Sequence, residues 1–139
     1  MWITAAVLSA FFAGITAILA KCGIKKTDSD VATAIRTIVV LIFSFIMTFI
    51  TGSISDIDKI GLKSFVFLVL SGIATGASWL CYYYAIQNGV VSVVVPIDKL
   101  SIIISILFSY IVFKEKLSKK SFAGLCFMTV GTLVMAIFA

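Results

Sequence analysis

The residues best able to do chemistry crowd into one apolar stretch: Pro96, Asp98 and Lys99, followed by Ser101, Ser105 and Ser109. A carboxylate and an ammonium held inside hydrocarbon are expensive to keep for packing alone, so they point to solute or proton handling. Pro96 cannot donate a backbone hydrogen bond, which frees a carbonyl one turn earlier. A kinked helix beside charges is one way to build a polar site at depth. Read as one helix, Ser101, Ser105 and Ser109 follow Asp98 at offsets of three, seven and eleven, with Ile102, Ile103, Ile104, Ile106 and Leu107 on the other faces. That stripe is the expected wall of a hydrated cavity. Neighbouring positions point about 100° apart, so Asp98 and Lys99 need not pair with each other. The competing explanation is an ion pair that fixes helix register, with serine hydroxyls bonding back to carbonyls.

Arg36 is the other charge inside an apolar run, with room either to snorkel to the headgroups, to face a cavity, or to pair with Asp98. Trp79 and Tyr83 stand four apart and share a helix face, where Trp79 could stack on an amphipathic or cationic solute. Tyr84, nearer the run's end, suits an interfacial aromatic belt. Gly72 and Gly76 form a GxxxG, and Gly124 and Gly131 lie seven apart on one face; both pairs read as helix-packing or dimer surfaces. Cys22, Cys81 and Cys126 form no CxxC pair and the chain has no His, so no metal site or cofactor is expected. Cys81 and Cys126 read as small buried hydrophobes. Without a nucleophile–base pair or a phosphate-cradling loop, enzymatic activity is not expected.

These side chains need elements to hold them, and composition says what kind. The chain has 139 residues, 62% of them hydrophobic and 12% charged, with a mean hydropathy of +1.23. Ordinary soluble domains carry about 25% charge. Half that amount cannot cover a water-soluble surface, and the same numbers exclude disorder. The expectation is an all-α integral membrane protein with one domain over 1–139. Its five transmembrane helices fall roughly at 2–20, 31–51, 64–86, 90–113 and 121–139. No period-two alternation supports a barrel. No Lys or Arg precedes Lys21, so the first run reads as a retained span, not a signal peptide. Ser118 and Ser121 are candidate N-caps of the last helix. The net charge of +5 belongs to span ends meeting anionic headgroups, so membrane lipids are expected partners and nucleic acid is not.

With the N-terminus inside, the second and fourth loops hold Lys59, Lys63, Lys114, Lys116, Lys119 and Lys120, against Lys21, Lys25 and Lys26 outside. This bias favours N-in modestly and leaves room for insertion both ways. Five spans contain no internal inverted repeat, and transporters commonly place their site between inverted halves. A second copy, inserted oppositely, would supply the missing half as a closed homodimer.

Val95-Pro96-Ile97-Asp98-Lys99-Leu100-Ser101 through Phe113-Lys114-Glu115-Lys116-Leu117-Ser118 resembles one repeat of the EamA-type transporters of the drug/metabolite transporter superfamily. Thr33-Ala34-Ile35-Arg36-Thr37, Tyr82-Tyr83-Tyr84-Ala85-Ile86 and the Gly124–Gly131 spacing fit the same repeat, and the Pro-x-Asp-Lys-x-Ser run looks most like the short five-helix bacterial and archaeal members. The resemblance implies a homodimer, antiparallel, in a prokaryotic inner or plasma membrane. Small multidrug-resistance relatives use a glutamate in their first helix; here that span has no acid, and Asp98 would take its place. The first functional expectation is a transporter of a small anionic or zwitterionic metabolite, amino-acid-like in type, because Arg36 and Lys99 outnumber Asp98. The alternatives are proton-coupled efflux of organic cations through Asp98 and Trp79, and an accessory subunit of a lipid-carrier flippase.

Overall fold

The computed structural model describes residues 1–138, and every regular element among them is helical. The elements are α1 (Trp2–Ile24), α2 (Ser29–Ile50), a 3-10 turn at Ser53–Lys59, α3 (Leu62–Asn88), α4 (Val91–Asp98), α5 (Ser101–Phe113) and α6 (Lys119–Phe138). Five segments are long and apolar enough to cross a membrane, with α4 and α5 together forming one of them, Val91–Phe113. The shortest, α6, has 20 residues and is about 30 Å long, matching the hydrocarbon core. Inside lipid a helix satisfies its own backbone, and the threonines satisfy themselves too. The hydroxyls of Thr16, Thr48, Thr75, Thr129 and Thr132 each donate to the carbonyl four residues earlier.

Helix ends differ from the expected ones, for local reasons. α1 runs on through Lys21 and Cys22 to Ile24, so the ten-residue loop expected at 21–30 shrinks to the turn at 25–28. A lysine need not end a membrane helix, because its long stem carries the ammonium to polar partners. Here those partners are the carbonyls of Ile86 and Gln87. Asp28 caps α2 by accepting the Asp30 N–H at 2.9 Å. Ser118 caps α6, accepting the Ser121 N–H at 3.2 Å. Ser121 itself lies within the first turn, its hydroxyl 2.9 Å from that of Ser118.

The fourth span is broken, and not at the proline. Pro96 sits inside α4, which ends two residues later at Asp98. Leu100, Ile102 and Ile103 donate to Ile97, Lys99 and Leu100, three residues back instead of four. The turn thus tightens across Lys99 and Leu100 before α5 resumes. At the other end of α5, Lys114 takes a left-handed conformation with φ of 56°. The Lys114 and Glu115 N–H groups both reach the Ser109 carbonyl, while the Ser109 hydroxyl donates to the Glu115 carboxylate. A non-glycine residue pays a steric cost there. Lys114→Gly is therefore expected to raise stability by about 0.5 kcal/mol in a detergent melt, since relief of strain outweighs glycine's extra entropy.

The chain divides into two compact units: Met1–Ile18 with everything from Asn88 onward, and Leu19–Gln87. In the first, α4 packs against α6. In the second, Ile24 (1% exposed), Tyr83 (3%) and Ile86 (0%) form the core, with Ser29 and Thr33 of α2 also buried. Most other large apolar side chains are exposed, including Phe11, Phe43, Phe67, Phe108 and Phe127. So much uncovered apolar surface suits lipid or another helix, not water.

Candidate functional site

The side chains that converge are Arg36 of α2 with Trp79 and Tyr83 of α3, all within the Leu19–Gln87 unit. Arg36 is the eighth residue of α2, about 10 Å along its axis. The turns around it are stiffened by Thr33 and Thr37, whose hydroxyls donate to the Ser29 and Thr33 carbonyls at 2.8 and 2.7 Å. On α3 the four-residue spacing of Trp79 and Tyr83 puts both rings on one face. Tyr83 is buried and fixed edge-on to Tyr82, with ring centroids 6.0 Å apart. The Arg36 Cζ lies 4.4 Å from the centroid of Trp79 and 5.4 Å from that of Tyr83.

A guanidinium beside two ring faces gains about 0.5–2 kcal/mol, depending on how dry the site is. Its five N–H donors lie in the guanidinium plane, and a cation over a ring needs none of them for that contact. Among the described residues the ion pairs are Lys59 with Asp56 and Lys99 with Asp98. Arg36 belongs to neither, so its charge is held by aromatic rings and not by a carboxylate. Such a group can accept an anion in a bidentate way without first breaking a salt bridge.

Asp98 and Lys99 belong to the other unit. They were not expected to need each other, yet Lys99 Nζ lies 3.4 Å from Asp98 Oδ2. A tighter turn would only widen the angle between neighbours to about 120°; the long, exposed lysine stem is what carries its ammonium round to the carboxylate. Lys99 is exposed and Asp98 half-buried, so the pair is open to exchange with other partners. Ser101 opens α5 and Ser105 is exposed on it. Ser109 is half-buried and committed to the Glu115 end cap. The stripe therefore does not run on from Asp98 as one continuous helical face; it begins afresh after the break.

At Gly72, Gly76, Gly124 and Gly131 an added Cβ would meet nothing within 4 Å, which leaves open space beside each. Cys81 and Cys126, expected to be buried, are exposed on their helices. Among the described residues no group of three His, Cys, Asp or Glu could hold a metal ion.

Two polar residues that the sequence left in loops and turns prove to be placed with care. Lys21 of α1 donates to the carbonyls of Ile86 and Gln87 at 2.5 and 3.4 Å, at the end of α3. Gln87 of α3 donates back to the carbonyls of Ile24 and Thr27 at 3.4 and 2.9 Å, at the end of α1. The available clue was a basic residue in a last helical turn, which is common and unspecific.

The EamA-like transporter family matches residues 1–137 of the chain. An uncharacterized transporter in the cobO 3′ region of Sinorhizobium sp. is 41% identical over 137 residues, covering 99% of this chain and 97% of the relative. No solved structure matches the chain.

Proposed function

Since the chain belongs to the EamA-like transporter family and is a multi-pass integral membrane transporter, we propose that it carries a small anionic or zwitterionic metabolite, amino-acid-like in type, by alternating access. The observation that carries this reading is Arg36, its Cζ over the rings of Trp79 and Tyr83 with no carboxylate partner among the described residues. A solute carboxylate would take the guanidinium edge, where paired charged hydrogen bonds are strongest. Organic-cation efflux is less well supported, because the Trp79 face that a cation would need already holds Arg36.

A second copy completes the carrier in this reading, inserted antiparallel in a prokaryotic plasma membrane. The open space beside Gly72 and Gly76 in one unit, and beside Gly124 and Gly131 in the other, leaves each unit a smooth face for it. Cysteines placed at Lys119 of one copy and Lys25 of another are expected to cross-link only if the copies are antiparallel. Cross-links between identical positions alone would mean a parallel pair.

The solute reading is tested by thermal-stability screening of purified protein against amino acids, amines, organic cations and organic anions. Ligands of the folded state raise apparent stability by mass action, about 2.7 kcal/mol at a hundredfold excess over Kd. Stabilisation by carboxylates alone is expected. Stabilisation by organic cations alone, lost in Asp98→Asn, would overturn the reading in favour of efflux. No response from any class would favour the flippase subunit.

A further inference from the structure

We infer that Lys21 and Gln87 form a reciprocal clasp that seals one end of the Arg36 site and must open for a solute to pass. Each residue serves the other's helix end: the Lys21 ammonium donates to the Ile86 and Gln87 carbonyls in the last turn of α3, and the Gln87 amide to Ile24, the last residue of α1, and to Thr27 in the turn that follows. Helix ends leave carbonyls without intrahelical donors. A positive charge at a helix C-terminus is also favoured by the helix dipole. The clasp is thus satisfied polar chemistry in a position where unsatisfied carbonyls would be costly.

Its placement gives it a purpose. Trp79, Tyr83 and Gln87 follow one another at four-residue spacing, so one face of α3 carries the Arg36 rings and, one turn further on, the clasp. Ile24 and Ile86, the two most completely buried side chains, flank the clasp and plug the same end. Thr33, one turn from Arg36 toward the Ser29 end of α2, is buried, whereas α2 beyond Thr37 and α3 before Gly76 are almost wholly exposed. Within this unit the Arg36 site is therefore closed at the clasp end only. Capping bonds of this kind can break and re-form without unfolding either helix. That suits them to a gate, which must close firmly yet open within a transport cycle.

The test begins with a protein whose three cysteines are replaced (Cys22→Ser, Cys81→Ala, Cys126→Ala) and a single Thr33→Cys is added. Its modification by a hydrophilic maleimide reads access behind the clasp. Lys21→Met and Gln87→Leu are each expected to speed labelling about tenfold, the effect of losing one or two such bonds. Lys21→Arg, which keeps the cap, is expected to label at the starting rate. A reference cysteine at the exposed Lys25 should label equally in all variants, which controls for general loosening. Should Lys21→Met fail to give a cooperative melt, Gln87→Leu decides alone. Equal labelling of Thr33→Cys in the folded variants would overturn the clasp as a seal. Opening serves the alternating-access reading proposed above, but labelling needs no solute, so the two can fail separately. For the gate itself, Lys21→Cys and Gln87→Cys are bridged in proteoliposomes by a short bis-thiosulfonate, which forms a reducible disulfide with each thiolate and releases a sulfinate at each. The bridge is expected to stop uptake of L-glutamate and L-aspartate, with recovery on reduction. Uptake undiminished by the bridge would overturn the gate, while absence of uptake from both bridged and reduced protein would tell against the transport reading and leave the seal to the labelling result.

Discussion

Arg36→Gln is expected to weaken binding of carboxylate solutes about a hundredfold while leaving the protein folded. Hydrogen bonds to a charged group are worth about 1.5–3 kcal/mol each, and a guanidinium edge offers a pair. Glutamine keeps some length and a donor, but loses the charge and the fork. The stability loss should be small, about 1 kcal/mol, the worth of the contacts with Trp79 and Tyr83. Arg36→Lys separates the roles further. It restores the charge without the planar fork, so affinity about tenfold below the starting protein is expected. Fluorescence makes this measurable without transport, because Trp2 is the only tryptophan besides Trp79 and Trp2→Phe leaves Trp79 as the sole reporter beside the site. A carboxylate that displaces the guanidinium from the ring should change that emission, and Arg36→Gln should remove the response. An unchanged response in Arg36→Gln would place the solute elsewhere.

Ile86→Ala carries the largest expected loss of stability. Ile86 is 0% exposed, and truncating a buried isoleucine costs about 2–5 kcal/mol through lost contacts and the cavity left behind. Ile73 lies on the same helix and is 65% exposed, so Ile73→Ala should cost little in detergent. The contrast separates packing from simple loss of apolar area, which both variants share. Thermal melts of the two proteins side by side provide the check. Equal destabilisation would mean that the plug of Ile24 and Ile86 is not the core of its unit.

The helices were readable because their cause is local. A run of about 20 apolar residues can bury its backbone polarity only by coiling, and no distant partner is needed to decide that. Trp79 and Tyr83 shared a face for the same reason, since a spacing of four is a property of the helix alone. That Arg36 meets them could not be read from spacing, because α2 and α3 each have several faces and the choice between them is made by packing. Lys21 shows the limit most clearly. A charge at the end of an apolar run reads as the end of the helix, whereas the partners that let the helix run on past it stand 65 and 66 residues further along. The Asp98–Lys99 contact stood as one of two alternatives, because backbone angles alone do not say how far a long lysine stem will bend to reach its neighbour. Resemblance supplied the family, and the match across residues 1–137 agrees with it. Motif spacing does not reach the solute, because recognition depends on which charges are left unpaired once the helices have packed.

Uptake into proteoliposomes of the purified protein tests the central claim most directly. Labelled amino acids and organic anions would be compared with a quaternary ammonium in the same vesicles, with Arg36→Gln alongside. The expected result is protein-dependent uptake of carboxylate solutes that Arg36→Gln abolishes, with none of the cation. Uptake of the cation that survives in Arg36→Gln would contradict the account.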